Sequence, residues 1–183
     1  EGEPLGLAIV ERLGDSTLPL NESEVRFRQL AERIDQVLWL SAVDPPRVLY
    51  VNAAFERVWG LPVERLYREP LLWQQAIHAD DRRKIQNVYA DWVAGRRIHY
   101  EVEYRIVRPD GTVRWVEDQA VQIRNQGGVN DRLCGIARDV TAHREAEAAY
   151  RSVKDQLLEQ QKREKERVQA ELALSLIHIS EPT

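Results

Sequence analysis

Between Tyr100 and Thr141 the spacing of apolar residues follows a two-residue period, and beyond Thr141 it becomes helical. Tyr100-Glu-Val-Glu-Tyr-Arg-Ile106 is apolar at every second position, the period of a half-buried strand. Pro109-Asp110-Gly111 then supplies turn chemistry, because proline presets φ and glycine accepts positive φ. A second strand is predicted over 112–124 with Val113, Trp115, Val121 and Ile123 on one side, which places Trp115 in the core. Gly127-Gly128 turns the chain into a third strand over 132–140.

The first half divides in the same way. Asn21 and Glu24 have capping-box spacing ahead of Phe27, Leu30, Ala31 and Ile34, which predicts a helix of about three turns. Residues 36–41 and 47–51 are predicted strands on either side of Asp44-Pro45-Pro46. Asn52 is the expected N-cap of a short helix carrying Phe55, Val58 and Trp59 and ending at Gly60. Short helical pieces broken by Pro62 and Pro70 lead to a longer helix, with Asp80 as its expected cap and Asp81 in its first turn. That helix carries Ile85, Val88, Tyr89, Trp92 and Val93 and stops at Gly95. The class is α+β. All five strands are expected in one sheet, because an isolated hairpin is marginal in water.

Four runs carry a family resemblance: Val51-Asn-Ala-Ala-Phe55, Trp73 through His78-Ala-Asp-Asp-Arg82, Arg108-Pro-Asp-Gly-Thr-Val-Arg-Trp115, and Gly135-Ile-Ala-Arg-Asp-Val-Thr141. Together they resemble a PAS domain with its C-terminal PAC motif, over about residues 23–145. Ala79 departs from the family, where many relatives place proline. The resemblance implies a five-stranded antiparallel sheet with helices on one face, followed by a long coiled-coil helix. It also implies that Arg114, Trp115, Asp139, Val140 and Thr141 pass a signal from the sheet to that helix, with an ordinary helix cap as the plainer alternative for Asp139 and Thr141. The expected parent is a sensor histidine kinase or, second, a diguanylate cyclase, with the output domain elsewhere in the same chain.

Composition narrows the function. Net charge is −4, so no global basic field draws nucleic acid or anionic membrane. No apolar run approaches the roughly 20 residues that span a bilayer. The single cysteine, Cys134, fits a reducing compartment and a cytoplasmic location. Among His78, His99, His143 and His178 none has a histidine or cysteine companion at metal-binding spacing, so no metal site is expected. There is no phosphate loop, nucleophile elbow or kinase signature, and no catalytic residue is expected within these 183 residues. Methionine is absent, and Glu1 is taken as an internal residue of a longer protein. Residues 174–183 resemble translated sequencing adapter and are set aside. The expected division is an upstream module or linker over 1–20, the PAS domain over 21–141, a signalling helix over 142–173 and the adapter-like tail.

Two cofactors of the family are disfavoured and none is predicted. The Asn-Cys-Arg-Phe motif of flavin-photoadduct members is missing, and residues 81–94 lack the histidine that haem-binding members present. A small ligand remains possible in an apolar pocket between sheet and helix, with Trp39, Tyr50, Tyr89 and Trp92 as candidate lining. The alternative is that these rings only fill the core. Beyond the hinge, Ala146, Tyr150, Val153 and Leu157 recur at 4-3-4 spacing, the seam of a homodimeric coiled coil. Val168 and Leu172 resume after a four-residue offset, with Gln161 and Glu164 in the seam between Leu157 and Val168. A solvated single helix, and a structural dimerisation module without ligand, are the competing readings.

Overall fold

The computed structural model describes residues 22–179, with side chains to residue 172. Asn21, the proposed partner in the capping box, and the expected linker over 1–20 lie outside the described residues. The elements are α1 (Glu22–Ala31), β1 (Val37–Ala42), β2 (Arg47–Val51), α2 (Ala54–Trp59), α3 (Val63–Arg68), α4 (Leu72–Gln75), α5 (Ala79–Val93), β3 (Tyr100–Val107), β4 (Val113–Arg124), β5 (Asn130–Asp139) and α6 (Thr141–Ile179). Two compact units meet between Thr141 and Ala142.

The five strands form one antiparallel sheet in the order β2-β1-β5-β4-β3. Its first and last hairpins are joined through the central β1–β5 ladder, where Trp39 faces Gly135. Val37, Val51, Phe55, Ile77, Ile85, Tyr104, Ile106, Val116 and Ala137 form the main core between the sheet and α2–α5. Ala31 and Phe27 of α1 pack with Leu40 and Tyr50 on the opposite face. A register shift beside Leu40 gives β2 an extra residue, so Leu49 and Tyr50 both join that second cluster while Val48 and Val51 face the main core.

Three local expectations are corrected. In β4 the buried positions are Val116, Asp118 and Ala120, whereas Val113 and Val121 are exposed and Trp115 is half-buried. The larger apolar residues of this strand therefore lie on the outer face. Trp115 is held there under the Arg105 guanidinium, 5.5 Å from its ring centre. Asn52 caps no helix through its side chain, and Ala53 takes the cap position of α2. Instead Asn52 is fully buried, donates to the carbonyls of Ala31 and Gln36 at 2.8 and 2.9 Å, and accepts from the Leu38 N–H at 3.0 Å. It ties the end of α1 to the start of β1. At α5 the cap is His78, whose Nδ1 accepts from the Asp80 N–H at 3.3 Å. Asp80 sits within the first turn.

Candidate functional site

A cavity of about 70 Å³ lies between the sheet and the helices over it. Six residues give it its chemistry: Trp39 of β1, Trp73 of α4, Tyr89 of α5, Tyr100 and Tyr104 of β3, and Asp118 of β4. The strand period explains the convergence. Tyr100 and Tyr104 share the inward side of β3, and the register sets Tyr104 opposite Val116 and Tyr100 opposite Ala120, so that Asp118 falls between them on the next strand. Trp73 stands edge-on to Tyr89 with ring centres 5.3 Å apart, and Tyr89 is likewise edge-on to Tyr100 at 6.0 Å.

Asp118 is 4% exposed. Its Oδ1 accepts from the Trp39 indole N–H at 3.3 Å and its Oδ2 from the Tyr104 hydroxyl at 3.2 Å. No ion pair reaches it among the described residues. Burial pushes its carboxyl up to about 7, against the opposing effect of the two hydrogen bonds. The same burial, with the nearby Asp118 charge, raises the Tyr89, Tyr100 and Tyr104 hydroxyls. Tyr100 is 2% exposed and its hydroxyl has no hydrogen-bond partner among the described residues. An aspartate amid apolar strand residues reads from sequence as an outward position. Only its place between two inward positions of β4 reveals it.

Of the four rings expected to line a pocket, Trp39 and Tyr89 do so, while Tyr50 and Trp92 do not. The extra residue in β2 turns Tyr50 to the α1 side, where its hydroxyl donates to Glu32 at 3.2 Å. Trp92 is fully buried against Tyr100, Ala120 and Leu133 and fills the core. Cys134 is half-buried, with its thiol raised by burial, which makes it a packing residue rather than a nucleophile. Among the described residues no group of histidine, cysteine or acidic side chains could hold a metal. Small-molecule pockets typically enclose roughly 300–1,000 Å³, and this cavity encloses about 70 Å³.

The hinge residues converge at the other end of β4 and β5. The Trp115 N–H donates to the Thr141 hydroxyl oxygen at 2.9 Å, and the Trp115 carbonyl accepts from the Val140 N–H at 2.9 Å. Asp139 Oδ1 accepts from the Thr141 N–H at 2.9 Å and from its hydroxyl at 2.5 Å, and Arg114 lies 3.7 Å from the same carboxylate. Asp139 thus caps the first residue of α6. The hydroxyl of Thr141, expected to cap the helix too, is instead spent on the sheet. In α6, Tyr150, Val153 and Leu157 are exposed, as is Ala146. No helix among the described residues is long and apolar enough to cross a membrane.

A family model described as the PAS fold matches residues 48–137. The domain of a histidine kinase from Haloarcula marismortui, described as light- and redox-sensing, is 32% identical, with a TM-score of 0.52 over 64% of this chain and 99% of that one. A sensory box histidine kinase/response regulator from Burkholderia thailandensis is 25% identical, with a TM-score of 0.54 over 72% of this chain and 97% of the solved one. A blue-light-activated histidine kinase of Brucella anthropi is 31% identical over 97 residues, which is 53% of this chain and 19% of that protein. The chain spans under a fifth of the length of the curated relatives it matches. It belongs to the PAS family, and it is a sensor-type domain similar to those of histidine kinases.

Proposed function

We propose that residues 21–141 sense a small ligand in the cytoplasm and that the hinge of Arg114, Trp115, Asp139, Val140 and Thr141 passes its occupancy to a helical linker over 142–173. The linker pairs two chains and drives an output module of the parent protein, a histidine kinase, with a diguanylate cyclase as the alternative. The observation that carries this reading is the double use of Thr141. Its peptide begins α6 while its hydroxyl is bonded to the backbone of β4. A displacement of β4 therefore pulls on the first residue of the helix.

A contiguous route to that point supports the reading. Asp81 at the start of α5, the helix that carries Tyr89, accepts from the backbone N–H and the guanidinium of Arg105, at 2.8–2.9 Å. Arg105 covers the Trp115 ring, and the Trp115 backbone holds Thr141. A contiguous route is circumstantial support for coupling, and a perturbation experiment is what tests it. Hydrogen exchange of the chain and of Asp139→Ala should show lost protection over 142–157 while the sheet amides stay protected. Unchanged protection in a folded variant would make Asp139 a plain cap and favour a structural module without signal transfer.

A further inference from the structure

We propose that the cavity binds a primary ammonium group, with Asp118 as its counter-ion and Tyr100 as a second acceptor. The inference rests on the sensor reading and gives it a ligand class. Three independent features of the site lead there. The first is a buried carboxylate that makes no ion pair among the described residues, at the wall of a mainly apolar cavity. A buried charge is ordinarily paired, so this one is either neutralised by a proton or matched by something that enters. The second is the hydroxyl of Tyr100, a residue that lines the same cavity, which has no hydrogen-bond partner among the described residues and whose oxygen can accept. The third is the enclosure by seven aromatic side chains, whose rings attract cations and whose apolar surface takes the first carbons of an alkyl chain.

An ammonium group can donate one N–H to Asp118 and another to the Tyr100 oxygen while the Trp39 and Tyr104 bonds to Asp118 stay in place. A neutral ligand gives the ionised carboxylate no counter-charge and binds beside its protonated form, and an anionic one is repelled by the charge. The size is consistent: a dry cavity of about 150 Å³ accepts benzene, and the one here is about half as large, enough for an ammonium head and a short stem. The groups facing Asp118 are Trp39 from β1, Tyr100 and Tyr104 from β3 and Tyr89 from α5. Arg47 of β2 also borders the cavity but is exposed, which places it at the mouth. A positive charge there disfavours a ligand with a second cationic group nearby.

Occupancy then depends on pH through Asp118 alone, because alkylammonium ions keep their charge across the neutral range. A carboxyl titrating near 7 is about one-tenth ionised at about pH 6 and nine-tenths ionised at about pH 8. The probe is ethylammonium chloride, compared with ethanol as its neutral counterpart, followed by tryptophan fluorescence and calorimetry at constant ionic strength. Three non-hydrogen atoms limit the dissociation constant to about a millimolar at best. Ethylammonium should bind saturably at about pH 8 and at least about tenfold more tightly than ethanol, and should lose about tenfold at about pH 6. Asp118→Asn should abolish the preference over ethanol, and Tyr100→Phe should reduce it severalfold. Equal affinity for the two probes, a preference indifferent to pH, or no saturation by ethylammonium below about 100 mM would each overturn the assignment. Saturable binding of ethanol alone would leave a ligand-sensing cavity standing and reject only the ammonium class. The pH series needs no variant, so the test holds even where Asp118→Asn does not fold.

Discussion

Gly135 stands directly opposite Trp39 in the central ladder, and a Cβ at Gly135 would lie 2.6 Å from the Trp39 indole ring and 2.6 Å from the Gln119 carbonyl oxygen. The missing side chain leaves room for the indole beside Gly135, from where its N–H reaches Asp118. Gly135→Ala must therefore move either the backbone or the ring. The expected loss is about 1–3 kcal/mol, the usual range for overpacking, accompanied by a change in tryptophan emission as the indole leaves Asp118. Urea unfolding checks it, and a loss below about 0.5 kcal/mol would show that Trp39 repacks freely.

Asp118 should make stability fall with rising pH. Its folded carboxyl titrates near 7 and its unfolded one near 3.8, so between those values the native state holds the extra proton. Stability from this group is complete below the unfolded value and is lost as pH climbs toward the folded one. The full shift corresponds to about 4 kcal/mol, of which roughly 2–3 falls between about pH 5 and pH 8. Asp118→Asn carries no such proton. Comparing urea unfolding of the two proteins at those pH values, without added amines, isolates the contribution. A difference that does not change with pH would mean the carboxylate is solvated.

Trp115 occupies the outer face of β4, so its truncation removes a cation–π contact and partial burial rather than a core ring. Trp115→Ala should lose about 1–2 kcal/mol, below the roughly 3–5 kcal/mol of a buried tryptophan. Chemical denaturation at neutral pH decides between them, and a loss above about 3 kcal/mol would return the side chain to the core.

Much of the fold was legible because its strands and turns obey local rules. Tyr100, Val102, Tyr104 and Ile106 alternate as a half-buried strand must, and Gly60 takes the left-handed conformation that ends α2, at φ 68°. The misreadings have a common origin in tertiary contacts. β4 places an acid and an alanine inward, where Asp118 meets the Trp39 and Tyr104 donors and Ala120 packs beside Trp92. β2 turns Tyr50 outward because one extra residue shifts the pleat. Asn52 has the look of a helix cap and is used instead to bind α1 to β1. Asp118 is the main loss at the site, since nothing local separates a buried carboxylate from a solvated one.

The last prediction concerns the pairing of α6. Along its first turns Tyr150 is 71% exposed, Val153 64% and Leu157 54%, at the spacing of a coiled-coil seam. A helix on its own gains from the Glu147–Arg151 and Glu159–Arg163 pairs, at 3.4 and 3.2 Å, but each such pair is worth only about 0.2–0.5 kcal/mol. Burying two valines and two leucines per pair of chains offers several times more, at about 1.5–3 kcal/mol for each fully buried side chain. The chain should therefore sediment as a dimer at micromolar concentration, and Val153→Lys with Leu157→Lys should sediment as a monomer with its sheet intact by near-ultraviolet circular dichroism. The weak positions Gln161 and Glu164 follow the seam, so the dimer should be held by its first two heptads, and Val168→Lys should leave it paired. A monomeric unaltered chain would make α6 a solvated helix. A dimer that survives the double substitution would place the interface on the PAS domain itself.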